Sequence, residues 1–241
     1  MAKYEPPLMR KKIYVRSKEN ILASYNYTDV VEGSGAVDFY LGTTNSSAGI
    51  KYIMDSNVFK TYATVSGDTT QHSCNASGNR LAGNYNLLDM DFDTKIYNKQ
   101  VTLFGTAVFT FRMSYFDDHS RITPSTAYPI IKVRKWDGTT ETEIASVNGE
   151  TVTLPTAGVK YRDYCLSVAV PKTIIKVGEQ IRITVSINLI VNDSDITDYA
   201  SCGIAYFPNN EETIFNAGWR DHIFASSYSQ FIAKIPYLVQ S

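Results

Sequence analysis

Gln180-Ile181-Arg182-Ile183-Thr184-Val185-Ser186-Ile187-Asn188-Leu189-Ile190-Val191 is the stretch that decides the fold. Ile181, Ile183, Val185, Ile187, Leu189 and Val191 alternate with Arg182, Thr184, Ser186 and Asn188. A period of two puts all six aliphatic residues on one face of a strand, whereas a helix would scatter them around its circumference. One buried face and one wet face belong to antiparallel pairing.

The same rhythm recurs outward in both directions. Tyr164, Leu166, Val168 and Val170 alternate as far as Pro171, and residues 172–179 then read as the connection that brings the next strand back antiparallel. Ala107, Phe109, Phe111, Met113 and Tyr115 alternate with Thr106, Thr110, Arg112 and Ser114. Residues 128–147 read as a hairpin turning at Asp137-Gly138, a strong short-range turn signal, with Lys132, Arg134, Glu141 and Glu143 placed to pair across it. Residues 36–41 and 58–65 are further strand-like runs. Phe231, Ala233, Ile235 and Tyr237 form a last one, where Pro236 marks an edge strand or the end of pairing. Residues 66–86 are rich in Ser, Thr, Asn and Gly and read as one long polar loop.

Composition agrees. Ile, Val, Thr, Tyr, Phe and Trp supply 92 of 241 residues while Leu supplies only 11, an alphabet suited to pleated sheets. The chain is thus expected to be all-β, an antiparallel β-sandwich of eight to eleven strands. At about 200 residues with long loops, a jelly roll fits better than a seven-stranded immunoglobulin-like sandwich. The expected organisation is an extended basic arm over residues 1–20 and a single jelly-roll-like domain over residues 21–241.

The formal net charge of −1 gives no reason to read the whole chain as a nucleic-acid binder. The charge is unevenly placed. Lys3, Arg10, Lys11, Lys12, Arg16 and Lys18 stand against Glu5 alone, so residues 1–18 carry +5 and the remainder −6. Pro6-Pro7 disfavours a helix there, and the segment reads as an arm that docks on an acidic protein neighbour. No signal-peptide pattern follows Met1 and no apolar run has membrane-spanning length, which points to a soluble protein made in a cytoplasm. The sequons at Asn26, Asn45, Asn75 and Asn192 are then chance.

Cys74, Cys165 and Cys202 are odd in number and lack CxxC spacing, which speaks against a disulfide framework; Cys165, inside a strand-like run, reads as a small buried hydrophobe. His72-x-Cys74 is the one close His/Cys pair, too little for a zinc site, and Asp117-Asp118-His119 reads as a charged turn at a strand end. Asp89, Asp91 and Asp93 put three carboxylates on one strand face, where like charges need a basic partner or a cation. Calcium is the candidate metal for them, although Thr94 and Gln100 break an EF-hand loop. Asn192-Asp193-Ser194-Asp195 is a second acidic turn. The serine-hydrolase elbow and the Walker and dinucleotide glycine patterns are absent, so no catalytic residue and no cofactor are expected. Trp136 at a hairpin tip and Trp219 in a polar stretch are candidate ligand-facing aromatics.

Four features together resemble the jelly-roll structural proteins of tailed-bacteriophage virions. These are the short basic opening, the entry segment over residues 21–35 leading into 37–41, the turn-and-strand Ile175-Lys176-Val177-Gly178-Glu179-Gln180-Ile181-Arg182-Ile183-Thr184-Val185, and the missing enzyme signatures. The resemblance implies a non-enzymatic capsid decoration, head-fibre, neck or tail component, used as repeated copies in the virion. Its partners would be other virion proteins and copies of itself, with no membrane or nucleic acid. Two alternatives stand beside it: a carbohydrate-binding or tail-fibre module recognising host glycans, and a major jelly-roll capsid protein of a small icosahedral virus.

Overall fold

The computed structural model describes residues 13–16, 22–25, 34–46, 49–56, 71–75, 82–117, 124–155, 159–192, 200–205 and 231–238. Every regular element among them is a strand. In chain order these are β1 (Ile13–Arg16), β2 (Leu22–Tyr25), β3 (Ser34–Ser46), β4 (Gly49–Asp55), β5 (Gln71–Asn75), β6 (Gly83–Asp93) and β7 (Val101–Asp117). They continue with β8 (Thr126–Trp136), β9 (Glu141–Asn148), β10 (Val152–Thr153), β11 (Val159–Ile175), β12 (Gln180–Val191), β13 (Ala200–Ala205) and β14 (Ile232–Leu238). The fold is all-β, as the alternation requires. The run at 58–65 lies outside the described residues, as does most of the 66–86 stretch. Within that stretch, 71–75 form a strand and β6 already begins at Gly83, so it is not one loop.

The strands join in one hydrogen-bonded path, β10-β8-β12-β6-β4-β3-β14-β7-β13-β5, with β9 on β8, β11 on β7 and the β1–β2 hairpin on β3. All pairings are antiparallel except β4 with β6, which meet at the single pair Ile53↔Asp93. That pair divides the path into two halves, one built on β8, β12 and β6, the other on β3, β14, β7 and β11. The chain passes from one half to the other between β5 and β6, β6 and β7, β7 and β8, β10 and β11, β11 and β12, and β12 and β13.

Both halves contribute to one core. Ile181, Ile183, Val185, Ile187, Leu189 and Val191 of β12 are all buried, as are Phe109, Phe111, Met113 and Tyr115 of β7, Val37, Phe39 and Leu41 of β3, and Ala233 and Ile235 of β14. Aromatic rings cross the core from half to half: Phe92 of β6 lies 6.5 Å from Phe231, Phe231 stacks on Phe111 at 4.7 Å, and Phe111 stacks on Tyr164 of β11 at 5.3 Å. A buried aliphatic side chain contributes about 2 kcal/mol. The six on β12 alone therefore rival the ~5–15 kcal/mol net stability of a typical domain.

The Asp137-Gly138 hairpin forms as read. Asp137 Oδ1 accepts from the Thr139 and Thr140 amides at 2.9 and 2.7 Å, which holds the carboxyl below the ordinary carboxylate range. Three other readings change. β11 does not stop at Pro171; it continues to Ile175 across a register shift between Val170 and Thr173. It pairs with β7, not with β12, so the turn after it carries the chain between halves instead of closing a hairpin. Alternation fixes which face a residue occupies, but it says nothing about the partner strand.

Cys165 is the third correction. It is exposed, because its neighbour Tyr164 takes the core side and successive strand residues face opposite ways. As for β14, it lies between β3 and β7, and its ladder to β7 breaks between Lys234 and Tyr237, where Pro236 has no amide to donate. The basic segment is extended where it is described: Ile13–Arg16 pairs with Leu22–Tyr25, and that hairpin touches the sheet at Ser24↔Ala36. Lys3, Arg10, Lys11, Lys12 and Lys18 lie outside the described residues.

The break at Pro236 is matched on β7 by Gly105, whose φ is +124° and where a Cβ would sit 3.2 Å from Pro236 Cβ. A non-glycine residue is strained there on both counts. Gly105→Ala is expected to lower the unfolding free energy by about 1–3 kcal/mol in urea titrations; an unchanged midpoint would show that this backbone is not held as described.

Candidate functional site

Two features of the described surface concentrate chemistry. The first is a charged ladder on the outward face of β6, β12, β8 and β9. Register places Asp93, Arg182, Arg134 and Glu143 in one row across the four strands. Arg182 grips Asp93 with both ends of its guanidinium, Nε to Oδ1 at 2.7 Å and Nη2 to Oδ2 at 2.8 Å. Its Nη1 also donates to Asp91 Oδ2 at 3.3 Å and to Glu141. Arg134 Nη1 meets Glu141 Oε2 at 2.7 Å. Thr184 donates to Asp91 at 2.5 Å and Ser186 to Asp89 at 3.4 Å. These contacts, led by the hydrogen bonds to Asp93, raise the Arg182 pKa above its ordinary value despite partial burial.

Asp89, Asp91 and Asp93 thus share a face, as their spacing predicts. Arg182 faces Asp91 and Asp93 and Arg134 faces Asp91, while Asp89 accepts from Ser186. Among the described residues, no group of three or more His, Cys, Asp or Glu side chains is arranged to hold a metal ion. His72 and Cys74 lie on β5, opposite Ile204 and Cys202. Trp136 is half-buried at the hairpin, and the Arg182 guanidinium covers one face of its ring at 4.3 Å from the centroid. One face of that aromatic is therefore already engaged. Trp219, Asp118 and His119 lie outside the described residues. The ladder joins strands, and its ionisable groups are spent on one another.

The second feature is an apolar end, which the sequence reading missed. The segment after β6 and the turn before β12 are bonded to each other: Thr94 N to Ile181 O, Tyr97 N to Glu179 O, and Gly178 N to Tyr97 O, at 2.9 to 3.0 Å. The Glu179 carboxylate closes its own turn by accepting from Lys176 N at 2.7 Å, and Lys135 lies 3.6 Å away. Tyr97 OH and Tyr237 OH are hydrogen-bonded at 2.7 Å, and burial pushes the Tyr97 phenol up to about 12.

On this fixed frame Ile96 and Val177 are each 65% exposed. Phe104 of β7 and Ile174 of β11, on strands paired at the same end, are 48% and 47% exposed. A shallow groove of about 330 Å³ adjoins Ile96, lined also by Met54, Asp55, Thr94, Lys95 and Gln180, with Lys95 and Asp55 3.1 Å apart. Single exposed apolar residues are ordinary; several near one end of a fold are the kind of feature from which a contact surface is built. The signal available in the sequence was the apolar pair Ile174 and Val177 flanking a turn, where polar residues are the rule.

No protein-family model matches the chain, and no curated protein matches it by sequence. Solved structures with some likeness include an aminopeptidase from the marine sediment archaeon Thaumarchaeota archaeon, with a TM-score of 0.47, 9% identity and 92% of this chain covered. A CocE/NonD family hydrolase from Staphylococcus aureus gives 0.40, 9% and 76%. The VP2 protein of infectious bursal disease virus, from T=1 particles, gives 0.31, 8% and 87%. The chain spans 40%, 39% and 55% of these three proteins. The likenesses run to hydrolases and to a virus-particle protein alike. No helix among the described residues is long and apolar enough to cross a membrane, which leaves β-barrels unaddressed.

If the ladder joins strands, its members should differ sharply in weight. Arg182→Met strands two partly buried carboxylates and is expected to cost about 3 kcal/mol. Lys132→Met, whose lysine lies 3.5 Å from the exposed Glu143, should cost less than about 1 kcal/mol. Urea unfolding of the two variants decides; equal losses would contradict the assignment.

Proposed function

We propose that this chain is a non-enzymatic structural protein of a virion, a capsid-decoration or auxiliary component of jelly-roll type present in repeated copies. The observation that carries this reading is the apolar end. Ile96 and Val177 stand on two turns bonded to each other and tied to β14 through Tyr97 and Tyr237. Side chains presented on an immobile frame lose little entropy when they dock, so a modest apolar area yields useful affinity.

The ladder supports the same reading from another side. Asp91, Asp93 and Glu141 each face arginine. Carboxylates so engaged lack the freedom to exchange protons with a substrate that acid–base chemistry requires. The partner at the apolar end is a second copy of the chain or a neighbouring virion protein. The basic residues of the N-terminal segment, Lys3 to Lys18, are read as a further contact to an acidic neighbour.

The double variant Ile96→Asp, Val177→Asp tests this. Both side chains are exposed, so the fold and its thermal midpoint should be unchanged. Light scattering after size exclusion should show the wild type as an oligomer and the variant at the monomer mass, with incorporation into particles reduced at least tenfold. A variant that keeps the wild-type mass and incorporation would contradict the proposal.

A further inference from the structure

Cys74 on β5 and Cys202 on β13 are direct register partners in an antiparallel ladder. Cys202 is in turn opposite Tyr115 of β7, a fully buried residue on the core side of the sheet. Residues directly opposite one another share a pleat face, so Tyr115, Cys202 and Cys74 form one row on the same face of three adjacent strands. Directly opposed residues in antiparallel strands have Cα atoms about 4.5 or 5.5 Å apart, depending on whether the pair is hydrogen-bonded. Both values fall inside the roughly 4.4–6.8 Å range that a disulfide spans.

The third cysteine cannot compete for either partner. Cys165 pairs with Thr110 on the opposite edge of β7, while Cys202 pairs with Tyr115. Five register positions correspond to roughly 16 Å along a strand, well beyond disulfide reach.

We propose that Cys74 and Cys202 are a cross-strand redox pair that closes to a disulfide when the protein meets a low-molecular-weight disulfide. Two protein thiols give up two electrons to the reagent. One S–S bond forms between β5 and β13, the reagent's S–S bond breaks, and both protons leave on the two small thiols released. The consequence is local and specific. Among the described strands β5 pairs only with β13, at the end of the hydrogen-bonded path. A bond at Cys74 therefore fastens the terminal strand of the sheet and closes a long loop through the core, which restricts the unfolded chain. An odd number of cysteines without CxxC spacing hides this, because register between β5 and β13 is a property of the fold.

The test uses the full-length protein held in oxidised glutathione, then alkylated and digested with trypsin. Cys74 falls in the peptide 61–80, Cys202 in 183–220 and Cys165 in a third peptide. The expected result is a linked 61–80/183–220 species at high yield, with Cys165 alone alkylated or carrying glutathione. Oxidation should raise the thermal midpoint by several degrees in the wild type and in Cys165→Ser, and leave it unmoved in Cys74→Ser. Separate alkylation or separate glutathionylation of Cys74 and Cys202, or a link from either to Cys165, would overturn the proposal.

Discussion

Six aliphatic side chains on one face of β12 must be covered, and the rest of the architecture follows from how the chain covers them. A lone sheet would leave Ile181 through Val191 against water, at a cost comparable to the whole stability of a domain. The chain meets this by alternating between two halves that contribute to one shared core. The halves share one parallel residue pair, Ile53↔Asp93, and a common core in which Phe92, Phe231, Phe111 and Tyr164 run from one side to the other. Packing, more than the continuity of hydrogen bonds, holds the halves together.

At one margin of the core the two halves are tied directly. There Gly149, at the end of β9, is held within its own half, donating to Pro129 O of β8 at 2.8 Å, and a Cβ on it would meet the Pro129 ring at 2.6 Å. The Tyr164 hydroxyl donates to Glu150 O at 3.1 Å, and Arg162 of β11 pairs with the Glu150 carboxylate. Tyr97 and Tyr237 make a second tie, between the segment after β6 and β14. The outer face of the β12 half needs its own settlement, because Thr184 and Ser186 are buried alongside the aliphatics. Arg182 provides it by bridging Asp91, Asp93 and Glu141 over the Trp136 ring. The turns that carry Ile96 and Val177 are hydrogen-bonded to each other and tied to β14 through Tyr97 and Tyr237.

Local chemistry was legible in the sequence and long-range choice was not. Period-two alternation at 107–115 and 181–191 gave strand faces correctly, because each strand carries that signal within itself. The turn at Asp137-Gly138 was readable for the same reason. Partner choice has no comparable signal: β11 and β12 are neighbours in the chain yet lie in different halves. The aspartate run asks for a counter-charge, and the arginines that face Asp91 and Asp93 are distant in sequence and adjacent only through register. Cys165 could have been placed from sequence, since an inward Tyr164 forces its neighbour outward. The apolar end was legible only in part: Ile174 and Val177 flank a turn, but the place of Ile96 beside them depends on two turns meeting.

Native-state hydrogen exchange, read by mass spectrometry across a denaturant series, addresses the shared core most directly. Amides of β12 and β8 on one side and of β7 and β11 on the other should open with the same free energy and the same denaturant dependence, as one cooperative unit. Two separate opening energies, one for each half, would contradict it, and the stiff contact body built on that core would go with it.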